Sequence, residues 1–291
     1  MIKNRRYKAL ADFTKVHKFL TETYNTNTFN GYLTPQFFEY DHVHRLCNYH
    51  KTHRFGIWED DGAIVGFACY SWSRGECLFH TAKGYEELYP KQLEWCEKEL
   101  SFTEEGNRKL IIRITKTEND KRDLLENKGY KICEESSVMI YDYKKGFVKR
   151  DLPEGFVFVN EADIDYIKLN DCFWRGFENI ESPPGSLEFR MHLCNAPNFR
   201  SDLMTVIAAP NGEYACVLFM WLDEHNKYAY LEPLATAPKY RRMGLASTAL
   251  SAAMQKTKDL GAEYCFGADE EFYKSLGFES MCTRESWSKE L

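Results

Sequence analysis

Residues 228–250, YAYLEPLATAPKYRRMGLASTAL, hold the residues best suited to chemistry, because their order is strand, basic small-residue loop and helix start. Tyr228, Tyr230 and Leu231 read as strand, Pro233 and Pro238 punctuate the turn after it, and Arg241-Arg242-Met243-Gly244-Leu245-Ala246 opens a long helix. The first N–H groups of a helix have no partner inside it, and Gly244 and Ala246 carry too little side chain to keep an anion away from them. With the positive end of the helix dipole and Arg241 and Arg242 alongside, the stretch makes a seat for a phosphate or pyrophosphate. Neither GxxxxGK[ST] nor GxGxxG occurs in it.

Arg241, Gly244 and Ala246 also fill the three fixed places of the pattern [QR]xxGx[GA], so the stretch resembles motif A of the GCN5-related N-acetyltransferases, the GNAT family. LEPLATAPKY before it looks like the fourth strand of that family, and FYKSLGF at 272–278 looks like its C-terminal helix and turn. The resemblance implies a splayed strand pair that admits the pantetheine arm of acetyl-CoA, a co-substrate here. Leu234, Ala235 and Thr236 would pair with the arm through their backbones. The N–H groups of Met243, Gly244, Leu245, Ala246 and Ser247 would hold the pyrophosphate, and Arg241 and Arg242 would add charge. Pro233, which can donate no hydrogen bond, suits a strand that bulges or parts at this point.

Acetyl transfer to an amine needs a neutral amine, a stabilised oxyanion and a proton for the departing thiolate. Keeping a lysine-like amine neutral near pH 7 costs roughly 4 to 5 kcal/mol, and a general base is the usual remedy. By the resemblance, Glu232 is the first choice for that base, directly or through a water, and Tyr273 stands where many members keep a tyrosine that protonates the thiolate. Segment 172–200 corresponds to the part that usually covers the acceptor, and Trp174, Phe177, Phe189, Met191, His192 and Phe199 offer an apolar wall with a polar tip or plain core. Cys194 and Cys216 qualify as nucleophiles only if a histidine meets them in space. The histidines at 42, 44, 50 and 53 lack the cysteine or carboxylate spacing of a zinc site, so no metal is expected. Three readings stand: an N-acetyltransferase of a small amine, a GNAT pair that senses acyl-CoA or a metabolite without turnover, and an enzyme using a longer acyl donor or a protein lysine.

The chain as a whole sets bounds on these readings. Its 291 residues favour two domains, and 44% hydrophobic with 28% charged residues is a composition able to bury real cores. A net charge of −6 argues against a general nucleic-acid binder. No apolar run approaches a membrane span, and MIKNRRYKAL lacks the apolar core of a signal peptide, so a cytoplasmic protein without membrane partners is expected, as monomer or homodimer. Ten scattered cysteines with no CxxC read as reduced core residues.

The elements that must position the site can be read along the chain. Helical spacing over Phe13–Tyr24, a hairpin turning at Asp61-Gly62, strands at 76–82 and 110–114, helices at 88–100 and 120–127 and a strand at 137–143 make up the first half. KKGFVKRDLPEG at 144–155 reads as a linker, with an SPPG break later at 182–185. The second half repeats the order: strand 156–159, helix 164–177, hairpin 204–222 around Asn211-Gly212, strand 228–235, helix 243–260, strand 264–266, helix 270–276 and a final strand. LLENKGYK at 124–131 lies over FYKSLGFE at 272–279. The expected fold is therefore α/β (α+β): two tandem GNAT-like domains, 1–147 and 148–291, each a mixed, largely antiparallel twisted sheet flanked by helices. The first half has no RxxGx[GA] at its helix start, HTAKGYEELYP, and Leu125 in place of Tyr273. It should bind no coenzyme A, which calorimetry of fragment 1–145 against acetyl-CoA tests; measurable heat of binding would refute it.

Overall fold

The computed structural model describes residues 1–291 except 45, 46, 48, 72–74, 105, 149, 178–186 and 268–269. In chain order the elements are β1 (Lys3–Arg6), α1 (Ala9–Glu22), α2 (Pro35–Val43), β2 (Gly56–Asp60), β3 (Ala63–Tyr70), β4 (Glu76–Thr81), α3 (Tyr89–Trp95), β5 (Phe102–Glu104), β6 (Asn107–Thr115), α4 (Asn119–Asn127) and β7 (Lys131–Asp142). Next come β8 (Val157–Phe158), α5 (Tyr166–Gly176), α6 (Leu187–Cys194), β9 (Thr205–Ala208), β10 (Tyr214–Asp223), β11 (Tyr228–Thr236), α7 (Leu245–Asp259), β12 (Tyr264–Gly267), α8 (Glu270–Ser275) and β13 (Glu279–Glu290). Among the described residues no helix is long and apolar enough to cross a membrane. The SPPG break at 182–185 lies outside the described residues.

Two compact units emerge: Met1–Val138 with Ser280–Leu291, and Met139–Glu279. This division differs from the expected halves, 1–147 and 148–291, for a physical reason. The final strand does not stay with the half that precedes it. β13 runs antiparallel to β6 in register from Arg284↔Thr115 to Glu290↔Lys109, so the tail completes the first unit's sheet.

Within the first unit the strands run β1-β2-β3-β4-β6-β13, with β5 on β6. The β2–β3 hairpin turns at Asp61 (φ 51°) and Gly62 (φ 82°), both left-handed, as the Asp-Gly signal requires. α2 starts on Thr34, whose side chain accepts from Phe37 N, with Pro35 in its first turn. β4 and β6 are parallel only at Glu76↔Ile111 and Cys77↔Ile112. Past that point the unit's own chain fills the gap. Lys121 Nζ donates to the Phe79 carbonyl at 2.7 Å and to Glu118 Oε1 at 2.6 Å, and Thr115 Oγ1 donates to the Thr28 carbonyl at 3.1 Å beside the buried turn Phe29–Tyr32. The expected helix 88–100 is α over Tyr89–Trp95 and widens into a looser turn over Cys96–Leu100.

The second unit's sheet runs from Met139–Asp142 of β7 through β12-β11-β10-β9-β8. β11 and β12 pair in parallel, and the ladders β7–β12, β10–β11, β9–β10 and β8–β9 are antiparallel. α7 packs small and aliphatic residues, Ala249, Leu250, Ala253 and Met254, into a core with Ala229, Leu231, Met220 and Tyr273. It ends at Gly261 (φ 98°), whose N–H donates to the Lys258 carbonyl.

Two buried histidines make the first unit acid-sensitive. The His42 Nδ1–H donates to the Phe38 carbonyl at 2.8 Å, which leaves Nε2 to accept from the Tyr7 hydroxyl at 3.2 Å; burial pushes this imidazole down to about 4. Burial first, and then the Lys121 ammonium, pushes His80 down to about 3. An unfolded histidine protonates near 6.5, so below that pH the unfolded chain binds more protons and folded stability falls until the folded pKa is passed. The loss should be on the order of 3 kcal/mol per histidine. Denaturant midpoints measured from pH 7 down to pH 4 should fall less steeply in His42→Gln than in the wild type, and an unaltered slope would contradict the assignment.

Candidate functional site

The second unit's site begins where two strands part. β11 pairs with β12 at Tyr228↔Tyr264, Ala229↔Cys265 and Tyr230↔Phe266, and there the parallel ladder stops while β11 continues to Thr236. Among the described residues, Leu231–Thr236 has no β12 partner. On its other edge β11 is held by β10, whose register slips between Leu218 and Met220 opposite this same segment. Trp221 Nε1 donates to the Glu232 carbonyl at 2.7 Å, and a cis peptide joins Glu232 to Pro233. Pro233 thus sits where it was expected, at an irregularity in the strand. Among the described residues the edge of 234–236 that faces away from β10 has no strand partner, the kind of edge an extended ligand can pair with.

From Thr236 the chain passes through a tight turn at Pro238–Tyr240 and an exposed loop, 241–244, into α7. The helix starts at Leu245, later than the expected 243, because Arg242 (φ 64°) and Gly244 (φ 80°) are left-handed. Gly244 takes the capping position, and no side chain caps the helix. An N-cap side chain would ordinarily accept from the second or third N–H. Here the nearby hydroxyls turn the other way: Ser247 Oγ and Thr248 Oγ1 both donate to the Gly244 carbonyl, at 2.7 and 3.1 Å. The first intrahelical bond is Thr248 N to Gly244 O, so the N–H groups of Leu245, Ala246 and Ser247 precede it and face the dipole's positive end. Amides in this setting are of the kind that can hold an anion.

The two arginines divide. Arg241 Nη2 donates to the Gly176 carbonyl at 2.7 Å and its Nε to the Thr236 carbonyl at 3.3 Å, which ties the end of α5 to the end of β11. Gly176 permits that approach, since a Cβ there would lie 2.7 Å from Ala235 Cβ. Arg242 is exposed. Sequence reasoning missed the clamp: Gly176 read only as part of a helix, and no local signal tells where a guanidinium turns.

The remaining expected residues fall into several settings. Glu232 is half-buried on β11 beside Pro233. Tyr273 on α8 is 8% exposed, with its ring edge-on to Phe272 at 5.0 Å and to Phe278 at 5.1 Å, in the same core cluster as Leu231 and Leu245. In the acceptor segment, Phe199 packs on Phe219 and Trp221, and Phe177 is exposed. Burial pushes the thiols of Cys194 and Cys216 up to about 11, which makes them poor nucleophiles at neutral pH. Every cysteine is free, and among the described residues no group of histidine, cysteine and carboxylate side chains is arranged for a metal ion.

Residues 167–278 match the model of the acetyltransferase (GNAT) family. No curated protein matches the chain. Among solved structures it is similar to a GCN5-related N-acetyltransferase from Sphaerobacter thermophilus, with a TM-score of 0.59 at 13% identity over 99% of this chain and 95% of that one. It is similar also to a tandem GNAT protein from the clavulanic acid biosynthesis pathway, with a TM-score of 0.60 at 10% identity over 100% and 98%. Saccharomyces cerevisiae N-myristoyltransferase with bound myristoyl-CoA gives a TM-score of 0.53 at 12% identity over 99% and 78%. At these identities the structures speak for the fold. The segment from α5 through the turn after α8 thus matches the GNAT acetyltransferase family, and the chain as a whole shares the fold of solved GNAT structures, a tandem pair among them.

Proposed function

We propose that this protein is an acetyl-CoA-dependent N-acetyltransferase that acetylates a primary amine of a small molecule in the cytoplasm. The observation that supports it most is the continuity of two features: β11 outruns its parallel partner at Tyr230 and leads directly to a helix start whose N–H groups no side chain caps. On this reading the diphosphate of the donor rests on the amides of Leu245, Ala246 and Ser247, with those of Met243 and Gly244 at the loop's end. Arg242 adds positive charge from solvent. Arg241 acts by holding the loop, through the carbonyls of Gly176 and Thr236. The pantetheine arm runs back along Leu234, Ala235 and Thr236, exchanging backbone hydrogen bonds with them.

The chemistry then falls to two side chains. Glu232 takes the proton from the incoming ammonium, directly or through a water. The neutral amine attacks the thioester carbonyl, the carbon–sulfur bond breaks, the Tyr273 hydroxyl gives its proton to the departing thiolate, and the proton shed by the new amide nitrogen returns to the phenolate. Trp221, by fixing the Glu232 carbonyl, holds the strand that carries the base. The first unit has the same parting of parallel strands, but Lys121 and the Phe29–Tyr32 turn fill it. One donor per chain is the expected stoichiometry.

A second reading, a pair that binds an acyl-CoA without turnover, draws on one observation: Tyr273 lies between two phenyl rings at 8% exposure, as a purely structural tyrosine would. A longer acyl donor is the other variant, in keeping with a structural relative that carries myristoyl-CoA. Coenzyme A release, followed with a thiol reagent across a panel of small amines and a lysine peptide, separates transferase from sensor: binding of acetyl-CoA without release on any acceptor favours the sensor. Tyr273→Phe should lower kcat at least about tenfold and leave acetyl-CoA affinity within about twofold. Unchanged turnover would remove Tyr273 from the mechanism.

A further inference from the structure

The acyl group that the parted strands accept can be read from what fills their vertex, and this step rests on the proposed acetyl-CoA donor. From Thr236 back to Leu231, β11 spans roughly 17 Å at a strand's rise per residue. A donor with its diphosphate at α7 and its arm along Leu234–Thr236 therefore brings its acyl end toward the point where pairing resumes, at Tyr230 and Phe266.

That point is full. Leu231 is 2% exposed, and a Cβ built on Gly267 would lie 3.0 Å from Leu231 Cβ and 3.2 Å from its Cδ2. The leucine side chain thus stands in the space the glycine leaves open between the separating strands. On the other face of the sheet the rings of Tyr230 and Phe266 pack 5.1 Å apart, and both are buried. Leu231 shares its cluster with Met220, Leu245 and Tyr273. An interior packed in this way accepts no added methylenes without displacing its neighbours.

We propose that Leu231 sets the length of the acyl group, admitting acetyl and propionyl and excluding chains that would have to pass the vertex. Gly267 is its counterpart, since any larger residue there would push the leucine aside. Size selection in an apolar pocket ranges from about tenfold to about two-hundredfold per methylene, so removing most of the leucine should alter donor preference measurably.

The test is calorimetric binding of coenzyme A, acetyl-CoA and hexanoyl-CoA to the full chain, as wild type, Leu231→Ala and Leu231→Met. The wild type should prefer acetyl-CoA to hexanoyl-CoA by at least about tenfold. Leu231→Ala should reduce that ratio at least about tenfold while its affinity for free coenzyme A stays as in the wild type, and the near-isosteric Leu231→Met should keep the wild-type ratio. If Leu231→Ala fails to fold, Leu231→Val opens less space and is read with butyryl-CoA in the same way. Equal wild-type affinity for the two donors, or an unchanged ratio in a folded alanine or valine variant, would overturn the role of Leu231 while leaving the donor reading in place. A wild type that binds no coenzyme A thioester would overturn the donor reading, and this proposal with it.

Discussion

The parting of two parallel strands is the constraint on which the second unit's site depends. Among the described residues three paired positions hold β11 to β12, and beyond Tyr230 β11 continues without a β12 partner. A parallel pair that stays paired has no free backbone on its facing edges. One that parts leaves a row of N–H and C=O groups that must find partners elsewhere. The surroundings keep the parted strand in place without closing it. β10 holds its other edge with a slipped register, Trp221 ties down the Glu232 carbonyl, and Arg241 and Gly176 fix its far end against α5.

The two units solve the same topological problem in opposite ways. In the first, an ammonium and a turn of the chain satisfy the groups beyond the last parallel pair, and the ammonium itself is neutralised by Glu118 at 2.6 Å. A buried lysine is tolerable only with such a partner. In the second, the helix after the parted strand begins on a glycine, with its hydroxyls pointed at a carbonyl instead of at the leading amides. One arrangement is self-satisfied, while in the other no side chain caps the leading amides, though both halves of the sequence carry the same order of elements.

Much of this was legible in the letters. Asp61-Gly62 and Asn211-Gly212 marked real hairpins, the apolar stripe of α7 was plain, and RRMGLA named the helix start to within two residues of where it begins. Less local matters were not. α2 escaped because all nine of its residues, PQFFEYDHV, are buried, so it has no polar face for a periodicity to reveal. β1 is KNRR, a polar edge strand with no apolar alternation. The direction of the Arg241 side chain depends on a carbonyl sixty-five positions earlier in the chain. The partner of the last strand is a matter of topology, and a strand's own sequence does not say which neighbour it will choose.

That last strand carries a consequence for how the protein is made. Chains emerge from the ribosome amino end first, and domains tend to fold as they appear. Here the opening unit waits: its sheet lacks β13 until residues 280–290 are available, and these follow all of Met139–Glu279 in the chain. Until that segment is available, β6 keeps open the edge that β13 covers in the finished sheet.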